Sequence, residues 1–587
     1  MYADARRYTE PRLPNQRWQM YSANPTLAQS IANTHQLSPL IAQVAINRGA
    51  DSLAKARDYL NPELLDLPHP LEEFLDLAFS IELLESAIAS GEKIAICGDY
   101  DADGMTSTAL LWRALGALGA NINYAIPSRM HEGYGINVRI VEEFHAEGVK
   151  LILTVDNGIA AYEPIARARE LGLKVIVTDH HDLPPNLPPA NAILNPKLLP
   201  QSSPYWGLAG VGMAYVLAVT LAQQLRKDGL ILRSCLELFT LGTIADLAPL
   251  KGVNRRWLKR GLAKLPQSQL AGIQALIQVS GVSDTQKALK PDDIGFRLGP
   301  RINAVGRLAD PQIVIELLTT DNPGVALERA MQCEQINKHR QQLCEEIEQH
   351  AIAWVEESLL DLQAERVLVV VQPGWHHGVI GIVASRLVER YGVPVFIGTY
   401  EDDTHIRGSA RSIPEFNVFE ALQFCSDLLG KFGGHQAAGG FSLPAENLEA
   451  LQTRLSQFAH QCLQPQHLKP LVKVDALADF AAIDAQLYQQ IEKLQPCGIE
   501  NDSPTFWTPD VRILEQKVVG KNHLKVTFAQ DRREQLKILN AIAWRWGQYY
   551  PLPTRLDIAY RLRENTWNGN TNVELELVGA RLPEVMS

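Results

Sequence analysis

Three times between residues 93 and 181, a short run rich in Ile, Val and Leu ends directly in hard metal ligands. Ile94-Ala-Ile-Cys97 leads into Gly98-Asp-Tyr-Asp-Ala-Asp-Gly104, Leu151-Ile-Leu-Thr-Val155 into Asp156-Asn-Gly158, and Val175-Ile-Val-Thr178 into Asp179-His-His181. Such runs, alternating with helical stretches, predict an α/β domain with a mainly parallel sheet. In an open parallel sheet the carboxyl ends of the strands face one crevice, so ligands distant in sequence converge there. A single Asp-Gly or His-His after a strand reads as a turn. The repetition at successive strand ends is what points to a metal site. Asp246, in GTIADLAPL after the helical stretch 235–244, is a fourth candidate for the same crevice.

Electrostatics limits what that crevice can hold. Asp99, Asp101, Asp103, Asp156, Asp179 and Asp246 crowded together would repel, and several would stay protonated unless cations lie among them. Carboxylate oxygens with one or two imidazoles suit Mn²⁺ or Mg²⁺. The seven cysteines are odd in number and form no Cys-x-x-Cys pair; they read as free thiols in a reducing compartment, without a zinc site or disulfide frame. A carboxylate shared between two divalent ions is what in-line phosphoryl hydrolysis needs, one ion preparing the hydroxide and both stabilising charge on the phosphate.

A chain of 587 residues predicts three to five domains at roughly 150 residues each. Residues 1–75 read as an N-terminal helical extension packed on the domain that follows. Residues 76–320 form the first α/β domain, with strands expected at 93–97, 121–126, 150–155 and 173–178. Residues 321–360 open on a turn-like Asp321-Asn-Pro-Gly324 and hold a long connecting helix, because 325–357 lack Pro and Gly and space Leu343, Ile347, Ala351 and Trp354 helically. Residues 361–465 form a second α/β unit opening at 367–371, and 466–587 hold alternating runs (523–528, 536–544) that suit a small antiparallel barrel. The first twenty residues lack the apolar stretch of a secretory signal, and the longest apolar run, 211–222, is too short to span a bilayer. The expectation is a cytoplasmic protein with no membrane partner.

A net charge of −11 argues against a uniformly basic coat for nucleic acid. Residues 512–563 run against that trend, with eleven basic and four acidic positions, a local balance of +7. Phe528, Trp544, Trp546, Tyr549, Tyr550 and Tyr560 lie among them, a mixture that suits single-strand binding, while a place in the barrel core is the commoner fate of any single aromatic. In the second α/β unit, Gly374-Trp-His-His-Gly-Val-Ile-Gly381 leads from a strand into a helix whose first amides suit a phosphate, or whose glycines serve close packing.

The triplet Asp179-His180-His181 resembles the signature of the DHH phosphoesterase superfamily. More narrowly, GDYDADGMTS, VDNG, TDHH, GTIADLAPL, GPRINAVGR, GWHHGVIGIVASRL, RGSARS and FGGHQAAGG resemble, in that order, the motifs of the bacterial RecJ family of single-stranded-DNA-specific exonucleases. The resemblance runs from about residue 90 to 587. It implies a DHH-type parallel-sheet domain joined by a long helix to a second α/β, DHH-associated domain that faces it across a cleft, plus a C-terminal OB-type β-barrel at 466–587 that binds nucleic acid. It implies two ions, Mn²⁺ or Mg²⁺, held by Asp99, Asp101, Asp103, Asp156, His180 and Asp246, with Asp156 as bridge. His181 then touches the scissile phosphate, and Asp179 orients a histidine. Substrate contacts are implied for Arg301, Asn303, Arg307, His376, Arg407, Ser409, Arg411, Gly434 and His435, with Arg301 and Arg411 near the terminal 5′-phosphate. The implied activity is 5′-to-3′ degradation of single-stranded DNA to 5′-mononucleotides in recombination and repair, beside a helicase and a single-strand-binding protein. Two rival readings stand beside it: a DHH phosphodiesterase of short oligonucleotides or cyclic dinucleotides, and a catalytically silent single-strand-binding scaffold.

Overall fold

A computed structural model describes residues 12–128, 133–282, 288–358, 360–520, 522–532, 535–567 and 570–583. The chain forms two units, one of residues 60–340 and 495–502, the other of residues up to 59, 341–494 and 503–587.

In the first unit five parallel strands lie in the order Asn121–Ala125, Lys93–Cys97, Leu151–Val155, Lys174–Thr178, Ala192–Leu194. The central strands are apolar along their whole length because both faces are covered. Ile94, Ile96, Leu151, Leu153 and Val155 bury against helix Ala102–Leu118 and its neighbours. Ala95, Cys97, Ile152, Val175 and Val177 bury against the opposite layer, with Ile140, Phe144 and Ile165. The strand order reverses between Lys93–Cys97 and Leu151–Val155. That switch point is where an open sheet leaves its ligand crevice, and Asp99 and Asp156 follow those two strands. The four expected strands appear with ends shifted by at most a residue; the three-residue Ala192–Leu194 was not expected.

Helix Pro323–Glu357 passes along the chain from the first unit into the second. There a five-stranded sheet runs Phe432–Gly434, Ala438–Pro444, His405–Arg411, Val395–Tyr400, Leu368–Val371, parallel only in its last pair. Strands Phe506–Val519, His523–Arg532, Gln535–Ala543, Asn570–Arg581 and Arg555–Trp567 then lie side by side in that order, each paired with the next, and the last closes back on the first as a barrel.

The N-terminal segment departs from the helical extension expected on the following domain. Arg17–Met20 is a strand, parallel to Leu471–Val474, and Trp18 packs edge-on to Trp507 with Arg581 over its ring. Behind the helices Pro25–His35 and Pro39–Asn47, the buried pair Arg48–Asp475 completes the attachment. Asp475 accepts from Arg48 Nη1 at 2.7 Å, Arg48 Nη2 at 2.9 Å, Asn47 Nδ2 at 3.0 Å and the Thr505 amide at 3.0 Å. A tryptophan and a buried guanidinium thus find their partners beside the barrel. Conversely, residues 495–502 of the C-terminal segment belong to the first unit, where Leu250 N donates to Ile499 O at 2.9 Å and Arg255 Nη1 to Pro496 O at 3.0 Å.

Candidate metal centre and nucleic-acid residues

Asp101, Asp103 and Asp156 are set in place by the backbone around them. Asp101 caps helix Ala102–Leu118, one oxygen accepting from Asp103 N at 2.9 Å and Gly104 N at 3.0 Å. Asp103, in that helix's first turn, is gripped by the start of helix Gly210–Gln224: Gly210 N donates to its Oδ2 at 2.7 Å and Val211 N to its Oδ1 at 2.8 Å. A Cβ on Gly210 would lie 2.6 Å from Asp156 Cβ. Asp156 itself holds φ at +59°, uncommon for a non-glycine residue. Its neighbour Asn157 locks that turn by donating to Cys97 O at 3.0 Å and Val155 O at 2.9 Å while accepting from Ile136 N at 3.0 Å.

The expected ligands come together. Ligand atoms of Asp156, His180 and His181, of Asp103, His180 and Asp246, and of Asp99, Asp101 and Asp156 lie within 4.8 Å of one another in each trio. Asp156 and His180 each belong to two trios, the pattern a shared-ligand, two-ion site requires. His180 Nε2 is 3.1 Å from Asp156 Oδ1 and 3.6 Å from Asp103 Oδ2. Asp246, at the end of helix Leu232–Ala245, joins this crevice from a different layer of the fold.

The charges there are out of balance. Burial, then Asp101, pushes the Asp103 carboxyl up to about 7 against the pull of the Val211 and Gly210 amides. Burial and neighbouring aspartates push Asp156 and Asp246 well above the usual carboxylate range. Divalent cations remove that penalty, and a donor set of carboxylates and imidazoles suits Mn²⁺ or Mg²⁺. Cys97, at the end of its strand, is no competitor as a ligand, since burial and Asp99 raise its thiol far above neutrality.

Asp179 and His181 form a separate pair. Asp179 Oδ1 meets His181 Nδ1 at 2.7 Å and the amides of His180 and His181 at 2.7 and 3.1 Å, while Oδ2 accepts from Ile159 N at 2.9 Å. Burial alone would lower His181, yet the bond and charge of Asp179 hold it up at about 9. Burial likewise works against ionised Asp179, and the bond and charge of His181 outweigh it. The side chain thus kept cationic suits contact with a phosphate.

Three contributors escaped the sequence reading. Tyr134 Oη donates to Asp156 O at 2.5 Å and lies 3.2 Å from His181 Nδ1. Asn195 Nδ2 donates to His181 O at 2.9 Å. The amides of Gly210 and Val211 hold Asp103. Only the last had a readable signal, the small-residue cluster Leu208-Ala-Gly-Val-Gly212 opening a helix.

Of the expected substrate contacts, Arg301, Asn303 and Arg307 lie on helix Gly299–Leu308 of the same unit. Arg301 Nε is 2.7 Å from Glu334 Oε2, and Asn303 Oδ1 accepts from Ala102 N at 2.9 Å. In the other unit, His376 caps helix His377–Tyr391 through Gly378 N at 3.1 Å. A Cβ on Gly381, in that helix, would lie 3.1 Å from Arg411 Nη2 and 3.4 Å from Ser409 Oγ, so both side chains meet the helix near its start. Arg407 pairs with Glu401 at 3.1 Å, Gly434 adopts φ +147° where Ala438 O leaves no room for a side chain, and His435 is exposed.

On the barrel, Phe528 and Tyr560 are buried in its interior, in line with the aromatic-core alternative, and Trp546, past the end of strand Gln535–Ala543, is buried against Tyr549. Trp544 and Tyr550 are exposed and Tyr549 half-buried; Arg563 lies over the Trp544 ring, 5.3 Å from its centroid. Lys521, Arg533 and Glu534, counted in the local charge, lie outside the described residues.

Family models for the DHH family N-terminal domain, the DHHA1 domain and the RecJ OB domain match residues 93–243, 364–461 and 474–579. A Bacillus subtilis protein named single-stranded-DNA-specific exonuclease RecJ is 35% identical over 574 residues, 97% of this chain and 71% of that one. Its namesake in Escherichia coli is 34% identical over 563 residues, 92% of this chain and 95% of that one. The chain belongs to the RecJ family. The fold agrees: RecJ of Thermus thermophilus, crystallised with Mn²⁺, matches with a TM-score of 0.82 at 31% identity over 97% of this chain and 80% of that one. The same protein has been crystallised with Mg²⁺. Among the described residues no helix is long and apolar enough to cross a membrane.

Proposed function

We propose that the chain is a two-metal-dependent exonuclease that degrades single-stranded DNA from the 5′ end to 5′-mononucleotides, in DNA recombination and repair in the cytoplasm, in company with a helicase and a single-strand-binding protein. The observation that carries this reading is the buried donor cluster in which Asp156 and His180 are each shared between trios. The RecJ relatives, named for a single-stranded-DNA-specific exonuclease, supply the substrate class.

Asp99, Asp101, Asp103, Asp156, His180 and Asp246 would hold the ions, with Asp156 placed to be shared. When bound, divalent ions supply Lewis-acid stabilisation of phosphate charge and make water a nucleophile near neutral pH. His181 keeps its proton through the Asp179 carboxylate on Nδ1 and stabilises the extra negative charge on the phosphate. Tyr134 and Asn195 hold the loops that carry Asp156 and His181. Arg301, Asn303 and Arg307 of the first unit, and His376, Arg407, Ser409, Arg411, Gly434 and His435 of the second, are each assigned contacts with the sugar-phosphate chain. On the barrel, exposed Trp544 beside Arg563 offers a sequence-tolerant stacking face. The full ligand set stands against a silent scaffold, and the barrel against a hydrolase of dinucleotides alone.

The test is incubation of end-labelled single- and double-stranded DNA with Mn²⁺, with and without chelator, for wild type and Asp156→Ala. Chelator-sensitive release of 5′-mononucleotides from single strands, absent in the variant, is expected. No degradation by wild type, or full degradation by the variant, would overturn the reading.

A further inference from the structure

Helix Gly299–Leu308 carries expected nucleic-acid contacts, and it also engages the acidic loop. Asp101 satisfies the amides of Asp103 and Gly104 at the start of helix Ala102–Leu118, and its carbonyl accepts from Met105 N. The remaining first-turn amide, that of Ala102, has no acceptor on its own helix. It donates to Asn303 Oδ1 at 2.9 Å, about two hundred residues away in sequence. Ala102 stands between two candidate ligands, Asp101 and Asp103, so this bond fixes the peptide that links them.

One turn further on, Gly306 faces the same loop. A Cβ there would lie 1.7 Å from Tyr100 O, so the helix backbone rests directly on the peptide preceding Asp101. The loop is therefore held from outside at two successive points, Tyr100 and Ala102, that bracket Asp101.

We infer that Asn303 is a positioning residue for the metal centre: its Oδ1 sets the Asp101–Asp103 segment, and its amide nitrogen is left to donate elsewhere. The direction of the amide is not arbitrary, because a backbone N–H can be met only by Oδ1. Asn303 has no other hydrogen bond among the described residues. One side chain thereby joins ion binding to the substrate contact assigned above. The inference rests on the two-metal reading.

The experiment is calorimetric titration of Mn²⁺ into chelator-stripped protein at 0.5 M KCl, where long-range charge effects are screened. Wild type, Asn303→Ala and Asn303→Asp are compared, with metal-free melting temperatures recorded for each. Loss of an outer hydrogen bond to a metal-binding segment typically weakens metal affinity by roughly 10–100-fold. Asn303→Ala is expected to show that loss while melting within a few degrees of wild type. Asn303→Asp keeps an acceptor for Ala102 N and is expected to bind Mn²⁺ within about threefold of wild type, while its affinity for single-stranded DNA stays reduced for want of the donor. Wild-type Mn²⁺ affinity in Asn303→Ala would overturn the inference, as would equal weakening in both variants or failure of Asn303→Ala to fold. Absence of Mn²⁺ binding by wild type would instead overturn the two-metal reading beneath it.

Discussion

Replacing Gly210 by alanine tests how tightly the crevice is built. The added Cβ would lie 2.6 Å from Asp156 Cβ, 2.9 Å from Asp156 Cα and 2.9 Å from Asp103 Oδ2. Carbon atoms settle at about 3.5 Å or more, so Asp156 or the helix start must give way by about 0.9 Å. Gly210 has no left-handed φ, which leaves the steric clash as the whole perturbation. Overpacking of this size costs about 1–3 kcal/mol in stability. The larger effect falls on the reaction, since displacement of reacting groups by about 1 Å costs roughly 100-fold in rate. The assay is release of labelled mononucleotides from single-stranded DNA at saturating Mn²⁺, with Gly212→Ala as control. At Gly212 the three atoms nearest the new Cβ all belong to the Leu208 side chain, the closest being Cδ2 at 2.7 Å, and none belongs to a candidate ligand. Gly210→Ala should lose about two orders of magnitude in rate and Gly212→Ala only stability. A Gly210→Ala rate within threefold of wild type, or equal losses in the two variants, would refute the reasoning.

In chelator-stripped protein, Asp103 holds its proton to about pH 7, whereas an unfolded aspartate releases it near pH 4. The folded state then binds the extra proton, so stability falls as pH rises from about 4 through 7, and His181, held up at about 9, adds loss in the same direction. Stripped protein should melt at a lower temperature at pH 8 than at pH 5.5, with Mn²⁺ restoring more at pH 8; an equal or higher melting temperature at pH 8 would contradict the assigned burial. Asp475→Ala leaves the Arg48 guanidinium buried and uncompensated and should cost about 3–5 kcal/mol in urea unfolding, whereas Arg48→Met with Asp475→Leu should recover most of it. A single-variant cost below about 1 kcal/mol would show that the pair does not hold the N-terminal segment.

Most of the candidate ligands were legible because their placement follows from a short-range rule: three of the four expected strands end in candidate ligands, and parallel strands bring their carboxyl ends together. Asp246 was legible only as a motif, since nothing local says that the end of helix Leu232–Ala245 reaches the rim of the sheet. What holds the ligands was hidden for the same reason. Tyr134, Asn195 and the Gly210 amide act through single long-range hydrogen bonds, and such bonds leave no periodic trace in sequence. The aromatic residues of the barrel show the limit most clearly. Alternation places Phe528 and Tyr560 on a strand but not on a face, and the structure turns both inward while leaving Trp544 outside. The N-terminal strand was missed because the alternation of Arg17-Trp-Gln-Met20 is only four residues long, too short a run to mark a strand without its partner Leu471–Val474.

That pairing has a consequence for biosynthesis. Arg17 and the Lys469 carbonyl it bonds are 452 residues apart, and Gln16 and its acceptor Val578 are 562 apart. At typical ribosomal speeds the opening strand emerges roughly 20–90 s before its partner exists. During that interval Trp18 and the Arg48 guanidinium have nowhere native to go, while the catalytic half between them is completed apart from its short late insertion. Strand Arg17–Met20 therefore stays without its partner until residues 471–474 have been made, after almost all of the unit that carries the donor cluster.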